Sequence, residues 1–148
     1  MKIVVDTNVI VSGLLNTDGT PAKILSLIFN GKVKILYDNR IIFEYHDVLS
    51  RKEFGFPAES INDIIVFFKR GGEFINSEPL KINNPASRGV LNPSHTIKFS
   101  DETDKKFYEV YKFGEAQYLI TGNLKHFPKE NTIVTPKTFI ELYENSLG

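Results

Sequence analysis

Lys2-Ile3-Val4-Val5-Asp6-Thr7-Asn8-Val9-Ile10 opens the chain, and its reading decides the fold. Ile3, Val4 and Val5 are consecutive, apolar and β-branched, the pattern of a strand buried on both faces of a parallel sheet rather than of a half-exposed hairpin strand. Asp6 follows at once. A carboxylate at the carboxyl end of a central strand points into the crevice where open α/β sheets bind ligands, and Thr7 and Asn8 add short polar side chains beside it. Asp, Thr and Asn are also good helix caps, so the same residues admit a second reading in which Asp6 merely starts the next helix.

Outward from that strand, Val9 to Leu15 is apolar with Ser12 and Gly13 interrupting it, a short helical turn or loop. Thr20-Pro21 then supplies a capping residue and a proline at the first helical position, and Asn30-Gly31 stops the helix. Val33 to Tyr37 reads as a second strand. Asn39 is the expected cap of a helix whose apolar positions Ile42, Tyr45, Val48 and Leu49 recur at helical spacing and which carries Glu44. Ser60 begins another helix, ended by Arg70-Gly71-Gly72, and Phe74-Ile75 is a short third strand. Asn83 to Ser100, rich in Asn, Pro, Ser and Gly, reads as a long loop inside one domain spanning residues 1–148. Ser100 and Asp101 open a helix that runs to Gly114. Gln117 to Thr121 is a fourth strand with Thr121-Gly122-Asn123 at its carboxyl end, Ile133-Val134 a last one, and Pro136 opens the final helix. Strands alternating with helices imply a three-layer α/β/α sandwich around a parallel sheet.

Composition narrows the chemistry. With 148 residues, 41% of them hydrophobic, the chain is long enough for one real core. It contains no Cys, so disulfides, zinc-thiolate sites, iron–sulfur clusters and cysteine nucleophiles are excluded together. Eighteen basic and eighteen acidic residues cancel, which argues against a simple electrostatic nucleic-acid binder but not against an enzyme that holds phosphates through a metal. No signal-like start and no apolar run near the roughly 18 residues of a membrane span are present, so a cytoplasmic protein with no membrane partner is expected.

Three acids from separate segments, Asp6 at a strand end, Glu44 on a helix and Asp104 at a helix start, can converge only in the crevice above the sheet. Asp101 and Asp104 stand three apart on one helical face, where two like charges repel and a cation would relieve them. Each acid has a plainer reading as well: Glu44 as a solvated helix carboxylate, Asp101 and Asp104 as an acidic first turn favoured by the helix dipole. Hard divalent cations such as Mg²⁺ take carboxylate oxygens and keep waters that a phosphate can replace. Such a site activates water and neutralises charge on phosphoryl oxygens without a histidine base. His126 lies in a basic loop with Lys125 and Lys129, where it either contacts phosphate or is an ordinary surface histidine.

These residues resemble the PIN-domain nucleases over essentially the whole chain, and most closely the branch described as toxins of toxin–antitoxin pairs. The resemblance rests on Val4-Val5-Asp6-Thr7-Asn8-Val9, on Glu44 in Phe43-Glu44-Tyr45-His46-Asp47-Val48-Leu49, on Asp101-Glu102-Thr103-Asp104-Lys105-Lys106-Phe107, and on Tyr118-Leu119-Ile120-Thr121-Gly122-Asn123 with His126-Phe127-Pro128 behind it. It implies cleavage of single-stranded RNA dependent on Mg²⁺ or Mn²⁺, with Asp6, Glu44 and Asp104 as metal ligands and Asp101 as an auxiliary catalytic acid. Thr7, Asn8, Thr121 and Asn123 become polar supports. It also implies a homodimer and a cognate antitoxin protein. Many PIN nucleases carry an acid where this chain has Asn123; an amide brings no charge, so a second ion is expected to bind more weakly unless Asp101 restores it.

Two other folds with acids at strand ends fit less well. A phosphoaspartate enzyme needs a second acid two residues after the first, where this chain has Asn8; a receiver domain needs adjacent acids after its first strand. The serious alternative is a PIN-fold module of weak catalysis that binds RNA or a protein partner, favoured by Asn123 and the neutral charge balance.

Overall fold

The computed structural model describes residues 1–77 and 104–147. Among them run β1 (Lys2–Val5), α1 (Thr7–Leu15), α2 (Thr20–Phe29), β2 (Lys34–Tyr37), α3 (Asn39–Leu49), α4 (Ala58–Gly71), β3 (Glu73–Phe74), α5 (Lys105–Phe113), β4 (Tyr118–Ile120), β5 (Ile133–Val134) and α6 (Pro136–Leu147). The loop expected over Asn83 to Ser100 and the acid Asp101 lie outside the described residues.

All five strands are parallel, in the order β3-β2-β1-β4-β5. β1 is central because Ile3, Val4 and Val5 are each 0% exposed: a strand whose alternate side chains are all dry needs cover on both faces, and helices supply it. The result is an α/β/α sandwich. From β1 the chain steps outward to β2 and β3, then returns to the other side of β1 to form β4 and β5. The order therefore reverses between β1 and β4, and the carboxyl ends of those two strands frame the crevice in which such sheets place their ligands.

Several elements differ from their sequence-based expectations in instructive ways. Of the helical turn or loop expected over residues 9–15, the structure has the helical form, extended into most of a full helix, because Val9, Ile10, Val11 and Gly13 are buried and packing overrides their modest helix propensity. The cap of α3 is Asp38 rather than Asn39; its Oδ1 accepts the backbone N–H of Ile41 at 2.9 Å. α4 starts two residues before Ser60, after Pro57. β3 is Glu73–Phe74, one residue earlier than expected, although the N–H of Ile75 still reaches the carbonyl of Tyr37 at 2.7 Å. The described part of the helix expected from Ser100 begins at Lys105, with Asp104 as its cap residue.

Gly72 shows how tightly α4 turns into the sheet. A Cβ placed there would stand 2.4 Å from the carbonyl oxygen of Ile35 and 2.5 Å from that of Phe68, so no larger residue fits without moving backbone.

Candidate active site

The crevice between β1 and β4 is built from the first residues after each strand. Asp6 leaves β1 with its N–H bonded to the carbonyl of Ile120 at 2.9 Å, which continues the sheet ladder one step past the strand. It occupies the cap position of α1, yet its side chain makes no capping bond to that helix. Instead Oδ2 accepts the hydroxyl of Thr121 at 2.7 Å, across the point where the strand order reverses. The Asp6 side chain is thus bonded to the residue after β4 rather than used as a cap of α1. Thr121 is 0% exposed and also accepts the N–H of Asn123 at 3.0 Å, so its orientation is fixed from both sides.

Glu44 reaches the same place from α3. Its Oε2 accepts the hydroxyl of buried Thr7, the residue after Asp6, and its Oε1 pairs with Lys106 Nζ at 2.7 Å. The neighbouring Tyr45, wholly buried, donates its hydroxyl to the carbonyl of Val5 and so pins α3 to the end of β1. Asp104 stands at the cap position of α5. Like Asp6 it makes no capping bond to its own helix; its Oδ2 lies 3.0 Å from Nδ1 of His126. Two of the three acids thus sit where acids commonly cap, and both turn their oxygens elsewhere.

The charges of the other two acids are felt at Asp6. Burial pushes the carboxyl of Asp6 above the usual carboxylate range, and the negative charges of Asp104 and Glu44 push it further. The hydroxyl of Thr121 and the N–H of Thr7 oppose the rise without cancelling it. Glu44 faces an ammonium, whereas Asp6 has hydrogen bonds from uncharged donors. Asp6 is also the driest, at 4% exposure. Among the described residues no three acids or histidines already stand in a closed ligand cluster. Carboxylate oxygens are donors of the kind a hard divalent ion takes, and these come from three separate segments.

Beside Glu44 an open groove of about 780 Å³ runs between α3 and α5, walled by Arg40, Phe43, Glu44, Lys105, Lys106 and Glu109. Arg40 braces its rim. It donates to Asp38 Oδ2 at 2.8 Å, to Glu109 Oε1 at 2.9 Å and to Ser77 Oγ at 3.0 Å, tying the start of α3 to α5 and to the end of the β3 segment.

Of the residues expected to support the site, Thr7 and Thr121 touch the acids directly. Asn123 acts on Thr121 through its backbone N–H, and Asn8 is exposed. Asp101 lies outside the described residues. Sequence reasoning missed Lys106, the brace of Arg40 and the hydroxyl of Tyr45. It left His126 between phosphate contact and plain surface, where the structure sets it on Asp104. Tyr45 carried a faint signal, as the one apolar-face residue of its helix with a polar tip; the others depend on contacts 62 residues apart in sequence for Lys106 with Glu44 and 69 for Arg40 with Glu109.

The sequence matches the PIN domain family over residues 2–125. The chain belongs to the PIN-domain family. Members of that family are generally nucleases that use divalent metal ions. The PIN domain described here is 32% identical to the uncharacterized protein MJ1680 of Methanocaldococcus jannaschii, a match covering 100% of this chain and 95% of that protein. Its fold is similar to a chain in the crystal structure of VapBC2 from Rickettsia felis bound to a DNA fragment from their promoter. That likeness has a TM-score of 0.54 and 17% identity and covers 91% of this chain and 97% of the other.

Proposed function

We propose that this PIN domain is a divalent-metal-dependent endoribonuclease that hydrolyses single-stranded RNA. The observation that carries the reading is the dry carboxylate of Asp6, raised by the charges of Asp104 and Glu44 and met by a hydroxyl rather than by a charged group. An arrangement that costs folding energy and leaves negative charge facing a crevice is what a cation-binding site requires. Asp6, Glu44 and Asp104 would hold Mg²⁺ or Mn²⁺, and Asp101 is proposed as an auxiliary acid. A divalent ion held there supplies Lewis-acid activation of water and of the phosphodiester.

The remaining work falls to the chain's own residues. Thr121 and Thr7 fix the oxygens of Asp6 and Glu44, so the acids are oriented before any ligand arrives. His126 does the same for Asp104. Lys105, Lys106 and Arg40 line the groove along which a phosphate backbone would lie, and Phe43, 73% exposed on its wall, offers a face on which a base stacks.

The toxin component of a toxin–antitoxin pair is the biological role we propose, with an antitoxin protein and a homodimer as partners. It is supported by the sequence resemblance and by the fold shared with VapBC2. The second reading, a PIN-fold module that binds RNA or protein without cleaving, is favoured by the ammonium already seated on Glu44. Incubation of the purified chain with several single-stranded RNAs and Mn²⁺ or Mg²⁺ separates the two. Metal-dependent cleavage abolished by Asp6→Asn supports the nuclease; intact RNA throughout, with folded protein, supports the binding module.

A further inference from the structure

The ion pair between α3 and α5 has a bearing on how the crevice accepts a cation. Lys106 is withdrawn from solvent, its side chain only 12% exposed, and its ammonium lies 2.7 Å from Glu44 Oε1 and 5.1 Å from the ring centroid of Phe107. A lysine is seldom held this far from water unless a charge repays its lost hydration. Here Glu44 repays it. The other oxygen of Glu44 is taken by the hydroxyl of Thr7, so both are already engaged.

We infer that Lys106 is a tethered counter-ion that a divalent cation must displace from Glu44, so that the ion affinity of the crevice is set by competition with the chain's own ammonium. This rests on the metal-site reading above and adds to it the residue that limits occupancy. The contrast between two of the acids supports it. Asp6 is met by the hydroxyl of Thr121, whereas Glu44 is met by the full positive charge of Lys106. A dication drawn in by Asp6 gains the third carboxylate only as the ammonium leaves. Neighbouring Lys105 is exposed on the same helix turn and carries the same formal charge.

The test is Mn²⁺ binding by the full chain, without RNA, followed by titration calorimetry and by the electron paramagnetic resonance signal of free Mn²⁺. Lys106→Met keeps the stem and the helix propensity and removes the charge. It should bind Mn²⁺ about tenfold more tightly than wild type, the worth of one charge-assisted hydrogen bond of ordinary strength. Lys105→Met makes the same change in net charge and should shift affinity less than about twofold. Lys106→Arg, which retains the pair, should bind no more tightly than wild type. On a Glu44→Gln background the effect of Lys106→Met should shrink to that of Lys105→Met, since the two side chains act on one another. Lys106→Gln replaces Lys106→Met should the latter lose its native circular dichroism. If Lys106 and Lys105 variants bind alike, the inference is wrong while the metal site stands. If wild type takes up no Mn²⁺ at millimolar concentration, the metal-site reading fails and the inference goes with it.

Discussion

Asp6→Asn should stabilise the protein when no divalent ion is present, the reverse of what most buried substitutions do. Asparagine is nearly isosteric and its Oδ1 accepts the Thr121 hydroxyl, so the bond of 2.7 Å at the crevice survives. What disappears is a charge 4% exposed that both burial and the charges of Asp104 and Glu44 disfavour. Relief of such functional strain is commonly worth about 0.5 to 2 kcal/mol, which for a chain of this size raises the melting temperature by roughly 1 to 8 °C.

The pH dependence has a definite sign. Because the folded carboxyl of Asp6 is raised above its unfolded value, the folded state binds that proton more tightly. The stability Asp6 contributes is full below the usual carboxylate range and is lost as pH rises through the raised value. The advantage of Asn should therefore be present at neutral pH and fade as pH falls toward the carboxylate range. Saturating Mn²⁺ should invert the order: a hundredfold excess over the dissociation constant stabilises wild type by about 2.7 kcal/mol, and a variant that has lost its central ligand gains little. Urea denaturation at several pH values, in EDTA and in Mn²⁺, measures all of this. A variant less stable than wild type in EDTA at neutral pH, or equally stabilised by Mn²⁺, would refute the account of the crevice.

Thr121→Val removes the donor to Asp6 and the acceptor for Asn123, and should cost about 1 to 3 kcal/mol by urea denaturation; a change below a few tenths would remove Thr121 from the site. Tyr45→Phe leaves the ring packed but deletes a fully buried hydrogen bond to Val5, for about 1 to 2 kcal/mol in the same assay and weaker Mn²⁺ binding as α3 loosens from β1. Gly72→Ala forces a Cβ against two carbonyl oxygens 2.4 and 2.5 Å away and should cost about 1 to 3 kcal/mol or prevent folding. Gly55→Ala, by contrast, meets no neighbouring atom and should cost about 1 to 2 kcal/mol through its φ of 69° alone.

Much of this protein was legible in order along the chain. The run Ile3-Val4-Val5 is buried throughout, as an uninterrupted apolar strand must be in a sheet covered on both sides, and Asp6 after it stands at the crevice. Periodicity placed Ile42, Tyr45 and Leu49 inward but did not decide Glu44, which is half-buried. Local rules were less sure at element boundaries: they left residues 9–15 between a helical turn and a loop, and packing makes a full helix of them.

What the sequence by itself determined was the alternation of strands and helices and which residues were candidates, because hydrophobic period and turn chemistry act over a few neighbouring residues. Only the tertiary structure decided what each acid meets: Thr121 from 115 residues away for Asp6, Lys106 for Glu44, His126 for Asp104. A carboxylate looks the same in a sequence whether it faces water, a hydroxyl or an ammonium. The energy that distinguishes those cases depends on burial and on distances of about 3 Å between groups that the sheet alone brings together.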